Sequence, residues 1–215
     1  MLAGDNKNSA LVQLFERGTR LTYKKGELIV RPNETPSGVF FIEEGLVKAY
    51  DITKYGEENL LIIRKENEIF PLISVLSGKT QHIIYEAITP VTVRRIDQQT
   101  YLEKVNKDIN VMLPILDMVV EMYRLHSERI INLEYRSVRE RLISFLLSSA
   151  DRFGKKTHEG TLINLPLKHQ DIASSINASR ETTSRELSAL ERKGLICSQH
   201  SKITIKNKRL LKSYL

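Results

Sequence analysis

Apolar positions change their period along this chain. From residue 20 to about 97 they fall in short runs, GELIV, GVFFIEEG, LVKAYDI, NLLIIRK, HIIYEAI and VTVRRI, rich in β-branched and aromatic side chains. Pro32-Asn33, Pro36-Ser37-Gly38, Glu44-Gly45, Tyr55-Gly56, Ser77-Gly78 and Thr89-Pro90 separate them, and such pairs place turns. Strands at this spacing predict a β-sandwich or barrel. From 99 to about 135 the pattern turns helical. Leu116, Val119, Tyr123, His126, Ile130 and Leu133 are separated by 3, 4, 3, 4 and 3 residues, a heptad seam of the kind that pairs one helix with another. Tyr123 and His126 interrupt the usual apolar choices, and a helix packed on its own β domain would want the same stripe. Pro114 marks the first turn of this helix or a kink near its start. Residues 136 to 215 read as shorter helices with two strand-like pieces, TLINL and ITI. No internal repeat or low-complexity segment breaks the pattern.

Within the last region two helices follow closely. LKHQDIASSI, residues 167–176, has apolar Leu167, Ile172, Ala173 and Ile176 on one side. Asn177 tolerates the left-handed backbone of a tight turn, and Ser179 is a good N-cap for the helix that follows. There Thr183, Leu187, Leu190 and Leu195 face a core, while Arg180, Glu181, Ser184 and Arg185 fall on the other face. Lys193-Gly194 supplies a basic last turn and a glycine stop. The pattern is that of a helix-turn-helix, whose second helix enters the DNA major groove by its N-terminal residues. An arginine gives guanine two hydrogen bonds, and a carboxylate accepts from cytosine N4, so Arg180, Glu181 and Arg185 suit a G·C-containing site. Ser179 and Thr182 are placed for phosphate. Glu181 and Arg185 also form an i,i+4 pair, which would suit a salt-bridged surface helix; the two readings can coexist.

Charge sharpens this. Residues 1–135 hold 17 Lys+Arg against 19 Asp+Glu, and residues 136–215 hold 16 against 7. A basic C-terminal third on a near-neutral body implies a polyanion partner. Cys197 is the single cysteine of 215 residues, which excludes an internal disulfide and a Cys-rich metal site and fits a reducing cytosol. No apolar run approaches the ~20 residues that span a bilayer, and the N-terminal stretch lacks the pattern of a secretory signal, so a cytoplasmic protein without a membrane partner is expected. No nucleophile–base set, metal cluster or Gly-rich phosphate loop is visible, and an enzyme is not expected. His126 reads as a packing residue, since no second ligand stands at metal-binding spacing beside it.

The order of parts resembles the Crp/Fnr family of bacterial transcription regulators over roughly residues 15 to 215. In the β region the resemblance rests on YKKGELIVRPNE, SGVFFIEEGLVKAY and GEENLL; in the C-terminal part it rests on HQDIASSINASRETTSRELSALERKGLI. SRETTSRELSALE is similar to the recognition helix of the cyclic-AMP receptor protein at Arg180, Glu181 and Arg185, and to the Glu-x-x-Ser-Arg pattern of the FNR branch at Glu181, Ser184 and Arg185. The resemblance implies an α+β fold: an N-terminal β-roll of jelly-roll-like, double-stranded β-helix type, a long dimerisation helix, and a C-terminal winged helix-turn-helix. The corresponding domains are 1–107, 108–135 and 136–215. CSQHSKITI then reads as the wing, with Lys202 available to phosphate, and LINL as the strand before the first helix of the motif. Implied at the DNA are Lys168, His169, Gln170, Ser179, Arg180, Glu181, Thr182, Ser184, Arg185 and Lys202. Implied at a homodimer seam are Leu116, Val119, Tyr123, His126, Ile130 and Leu133. RNA polymerase is implied as the partner of an activator, and GKKTHEG, residues 154–160, as the exposed loop that touches it.

The departures carry information too. Cyclic-AMP-binding members have Gly-Glu after an aromatic, then an Arg-Ser pair. Here Phe70 is followed by Pro71-Leu72, and Gln81-His82 stand where the Arg-Ser pair would fall. Without the ribose acceptor and the phosphate cation a cyclic nucleotide is not the expected effector; the effector is left unidentified, with Leu72, Gln81, His82 and Tyr123 as candidate contacts. The iron–sulfur branch needs four cysteines, so neither a cofactor nor a metal is expected. Lys168 stands where the family often has a Thr or Ser cap, so that helix must be capped otherwise. Two function classes follow: a sequence-specific, dimeric DNA-binding regulator, and a ligand-binding or architectural nucleic-acid protein without gene-specific control.

Overall fold

The computed structural model describes residues 10–79, 82–199 and 202–215. They form two compact units, one from within residues 1–52 and 61–125, the other from 53–60 and 126–215.

The first unit is organised by β3 (Val39–Glu44), whose Val-Phe-Phe-Ile run is buried on both faces. Phe40 and Ile42 join Val47, Ala49, Phe70, Tyr85, Val91 and Val93 in a core between sheets. Val39 and Phe41 turn the other way, against helices, with Leu11, Phe15, Leu72, Tyr101, Val111 and Ile115. A strand that must be apolar on both sides reads as a continuous run rather than as alternation, which is why this one is so plain in the sequence. The sheets are antiparallel. One has the order β1 (Thr19–Tyr23), β8 (Val91–Ile96), β3, β6 (Ile69–Phe70); the other has β2 (Leu28–Val30), β7 (Ile84–Ala87), β4 (Val47–Ile52), β5 (Glu58–Arg64). Rings stack through the inter-sheet core, Phe40 on Phe70 at 5.2 Å and Phe70 on Tyr85 at 4.9 Å. Burial pushes the Tyr85 phenol up to about 12. Gly45 closes the β3–β4 turn at φ 96°, and a Cβ there would lie 2.3 Å from the Pro90 carbonyl oxygen, so only glycine fits.

Among the described residues, the charged side chains of Lys48 and Arg64 are buried in this β domain. Lys48 pairs with Glu86 at 3.3 Å and lies over the Tyr50 ring. The Arg64 side chain, 4% exposed, pairs with Glu68 at 3.4 Å and donates to Met122 Sδ. Helices α1 (Ala10–Glu16), α2 (Leu72–Ser77) and α3 (Gln98–Lys107) complete the unit. The helical stretch expected from 99 to 135 is two helices. Asp108 ends α3 in extended backbone, and its carboxylate accepts from Asn110 N–H at the start of α4 (Ile109–Tyr135). Pro114 lies inside α4, in its second turn.

In the second unit α5 (Val138–Phe153) opens with a capping box between Ser137 and Glu140. The Ser137 hydrogen bonds hold the Glu140 carboxyl below its ordinary range. A sheet of order β11 (Ile196–Gln199), β12 (Lys202–Ile205), β10 (Gly160–Ile163), β9 (Gly154–Thr157) lies with α5, α6 (His169–Ser175), α7 (Arg180–Arg192) and α8 (Lys208–Lys212). Its core is Leu142, Ile143, Leu146, Ile172, Leu187, Leu190 and Ile205, each at most 2% exposed. The stretch 154–160, expected as a loop, is instead largely a β-hairpin in which Thr157 pairs with Gly160; only His158 and Glu159 form the turn. Residues 53–60 are held here by Arg129, which donates to Leu60 O at 2.7 Å, Asn59 Oδ1 at 2.7 Å and Ser174 O at 3.5 Å. Burial pulls that guanidinium below its ordinary pKa.

Candidate nucleic-acid interface

α6 and α7 are set by local rules. Lysine has no acceptor to cap a helix, so only the reciprocal half of a capping box forms, the Asp171 carboxylate accepting the Lys168 backbone N–H at 2.7 Å. Asn177 holds the turn at φ 49°. The Ser179 hydroxyl accepts from Thr182 N–H at 3.1 Å, an N-cap of the kind worth ~1 kcal/mol. Gly194 at φ 68° follows the helix end. Thr183, Leu187 and Leu190 bury one face of α7. Glu186 ties it to α5 through Arg139 at 2.6 Å, and this pairing raises the Arg139 pKa. At the other end Glu191 accepts Ser198 N–H of β11 at 2.5 Å. None of these braces was legible as such: Arg139, Glu186 and Glu191 look like ordinary helix-surface charges until the partner element is in place.

The opposite face is bare. Arg180, Glu181 and Arg185 are exposed, and among the described residues their side chains make no ion pair or hydrogen bond. The Glu181–Arg185 pair that the spacing allows does not form. Three hydrogen-bonding side chains therefore stand free on the first turn and a half of a helix rigidly fixed behind them, which is what reading base edges requires. Ser184 is half-buried and shares a hydrogen bond with His169 Nδ1 at 2.8 Å. Lys168, His169 and Gln170 are exposed at the start of α6. Ser179 is exposed and Thr182 half-buried at the start of α7, and Lys202 is half-buried at the start of β12, the second strand of the wing hairpin.

The other residues singled out from the sequence are dispersed. Leu72 is 1% exposed in the helix–sheet core. His82 is exposed and hydrogen-bonded to Asn33. Tyr123 is exposed on α4, and Gln81 lies outside the described residues. A cleft of about 580 Å³ in the first unit is lined elsewhere, by residues that include Arg17, Arg95, Lys104, Asp97 and Asp108. On α4, Leu116, Tyr123, Ile130 and Leu133 are exposed, and Val119 and His126 half-buried. Among the described residues no cluster of His, Cys, Asp and Glu could hold a metal, and no helix is long and apolar enough to cross a membrane.

A β-roll, a long helix and a winged helix-turn-helix define a DNA-binding transcription regulator. Residues 20–108 match the cyclic nucleotide-binding domain model, and residues 140–214 the Crp-like helix-turn-helix domain model. The chain is 31% identical over 215 aligned positions to the global nitrogen regulator of Synechococcus elongatus, covering 94% of this chain and 95% of that one. It is 31% identical to the global nitrogen regulator of a Nostoc species, covering 86% and 83%. In fold it is similar to a CooA mutant from Carboxydothermus hydrogenoformans, with a TM-score of 0.80 at 21% identity over 94% of this chain and 89% of that one. It is also similar to FixK2 from Bradyrhizobium japonicum, with a TM-score of 0.79 at 23% identity over 91% and 96%. The chain belongs to the Crp/Fnr family.

Proposed function

We propose that this regulator binds, as a homodimer, an inverted repeat whose half-sites carry a G·C-bearing core read by Arg180, Glu181 and Arg185. The observation that carries the reading is the bare outer face of α7, where these side chains have no partner within the protein. A two-fold dimer sets half-site centres about one helical turn, or about 10–10.5 base pairs, apart. The likeness of the helix to both branches of the family narrows the core towards a G-A step. Lys168, Gln170, Ser179, Thr182 and Lys202 are assigned to phosphate, where contacts fix register without reading sequence. RNA polymerase is the protein partner this reading implies. The effector of the β domain is not a cyclic nucleotide: Leu72, where the family has a polar ligand residue, is part of the hydrophobic core.

Selection of bound DNA from a random pool tests the proposal. The wild type should return a symmetric motif, unchanged when cyclic AMP or cyclic GMP is present. Arg185→Ala should cost about 1–3 kcal/mol on the best site and lose preference at one base pair, while Lys202→Ala should weaken all sequences alike and lower the salt slope by about one. An asymmetric motif, or the same preferences from wild type and Arg185→Ala, would overturn it; so would a site recovered only with a cyclic nucleotide. Failure to recover any motif would favour an architectural role.

A further inference from the structure

We infer that His169 sets specificity by positioning Ser184: its imidazole fixes the hydroxyl that α7 offers to a base edge. This rests on the proposed base-reading role of α7. The two residues come from different helices, fifteen positions apart, with His169 first in α6 and Ser184 fifth in α7, and Nδ1 lies 2.8 Å from Oγ. Ser184 is one residue from Arg185 and one helical turn beyond Arg180 and Glu181, so its hydroxyl stands among the side chains assigned to the bases.

A free serine hydroxyl carries little sequence information. It donates once, accepts twice and rotates to suit whatever it meets. In the major groove adenine N6 and cytosine N4 donate, while guanine O6 and N7 and thymine O4 accept, so a rotating hydroxyl satisfies either kind. The ring removes that freedom. When Nδ1 carries no proton, the Ser184 O–H donates to it and only lone pairs face outward. When Nδ1 carries the proton, the ring donates to Oγ and the O–H is left to donate outward. With its proton given to Nδ1, Ser184 is one-sided: it only accepts, and so favours adenine N6 or cytosine N4 where a free hydroxyl does not discriminate. With Nδ1 protonated it would keep one lone pair beside its O–H, so the first tautomer is the one that sets specificity. α6 and α7 are each braced independently, by the Asp171 and Ser179 caps and by the Arg139–Glu186 pair, so the ring and the hydroxyl meet between fixed supports.

A rival role for an exposed histidine at this place is a phosphate contact, which weakens all sequences alike and changes the salt slope. The test is selection from a random pool, with salt titration at a single pH, for wild type, His169→Ala, Ser184→Ala and the double variant. The inference expects both single variants to lose about tenfold of preference at the same one base pair, the double variant to lose no more, and the salt slope to stay at the wild-type value. Circular dichroism and melting of each variant confirm the fold, and retained preference at the base pair read by Arg185 shows that α7 still docks. Uniform weakening with a shallower salt slope in His169→Ala would overturn the inference, as would a change of preference in Ser184→Ala that His169→Ala does not share. If Arg185→Ala leaves the motif intact, the base-reading role of α7 has failed and this inference falls with it. If Arg185→Ala changes the motif and His169→Ala does not, the inference alone has failed.

Discussion

Thr183 shows what one atom can cost. It is 0% exposed on the core face of α7, and its hydroxyl oxygen has no hydrogen-bond partner among the described residues. A buried, unpaired hydroxyl carries a desolvation penalty that an apolar group of the same shape does not. Thr183→Val should therefore raise stability by about 1 kcal/mol, seen as a higher urea midpoint at unchanged slope, while the selected DNA motif stays the same. A lower midpoint would mean that the hydroxyl is satisfied in solution. At this scale the sequence was legible wherever the helical period decides exposure: Thr183, Leu187 and Leu190 fell inward, and Arg180, Glu181 and Arg185 outward, as the spacing predicts. It was silent where two distant residues must meet, as for His169 and Ser184. It gave no sign that Lys48 and Arg64 are buried with carboxylate partners from Glu86 and Glu68, since those partners are named only once the strands are paired.

Among the elements, α4 leaves the most apolar surface uncovered. Leu116 is 43% exposed, Ile130 63% and Tyr123 74%, and the heptad spacing puts them along one seam. A second copy of the same helix would bury that seam by knobs-into-holes packing. Ile130 is largely exposed in the protomer, so Ile130→Glu should leave each protomer folded while sedimentation equilibrium shifts from dimer to monomer. Affinity for the inverted repeat should fall about 100-fold or more as avidity is lost, with half-site binding kept. An undiminished dimer would place the seam's role elsewhere. Strands with dense β-branched runs were legible, but β1 was missed: TRLTY is short, alternating and mostly exposed, so it resembles a turn segment until Arg20 and Leu21 find Arg94 and Val93 across the ladder. Helix α2 is only six residues long, too short for a period to show. β10 was legible in TLINL, but β9 was missed because GKKT is exposed throughout, and its strand form comes from backbone pairing with β10 rather than from its side chains.

For the molecule as a whole the charge division is the decisive trait: the basic excess is confined to residues 136–215, which include the recognition helix and the wing. The same region presents the β9–β10 turn, with the His158 side chain 91% exposed beside Glu159. If this turn touches RNA polymerase, changing Thr157, His158 and Glu159 to Ala should lower transcription from an activated promoter while occupancy of the site is unchanged; equal transcription at every target would remove the turn from that role. The order of parts was legible from motifs and charge together, while the residue pairs that hold the pieces, such as Arg129 with Leu60 or Arg139 with Glu186, were not, since each joins positions tens of residues apart. The bare face of α7 has a further consequence. Because Arg180, Glu181 and Arg185 bear no load in the fold, replacing them costs little stability, as is usual for exposed positions away from packing and caps. If these side chains read the site as proposed, the address can be rewritten without rebuilding the reader: a lineage, or an engineer, could move the protein to a different set of genes by changing a few side chains.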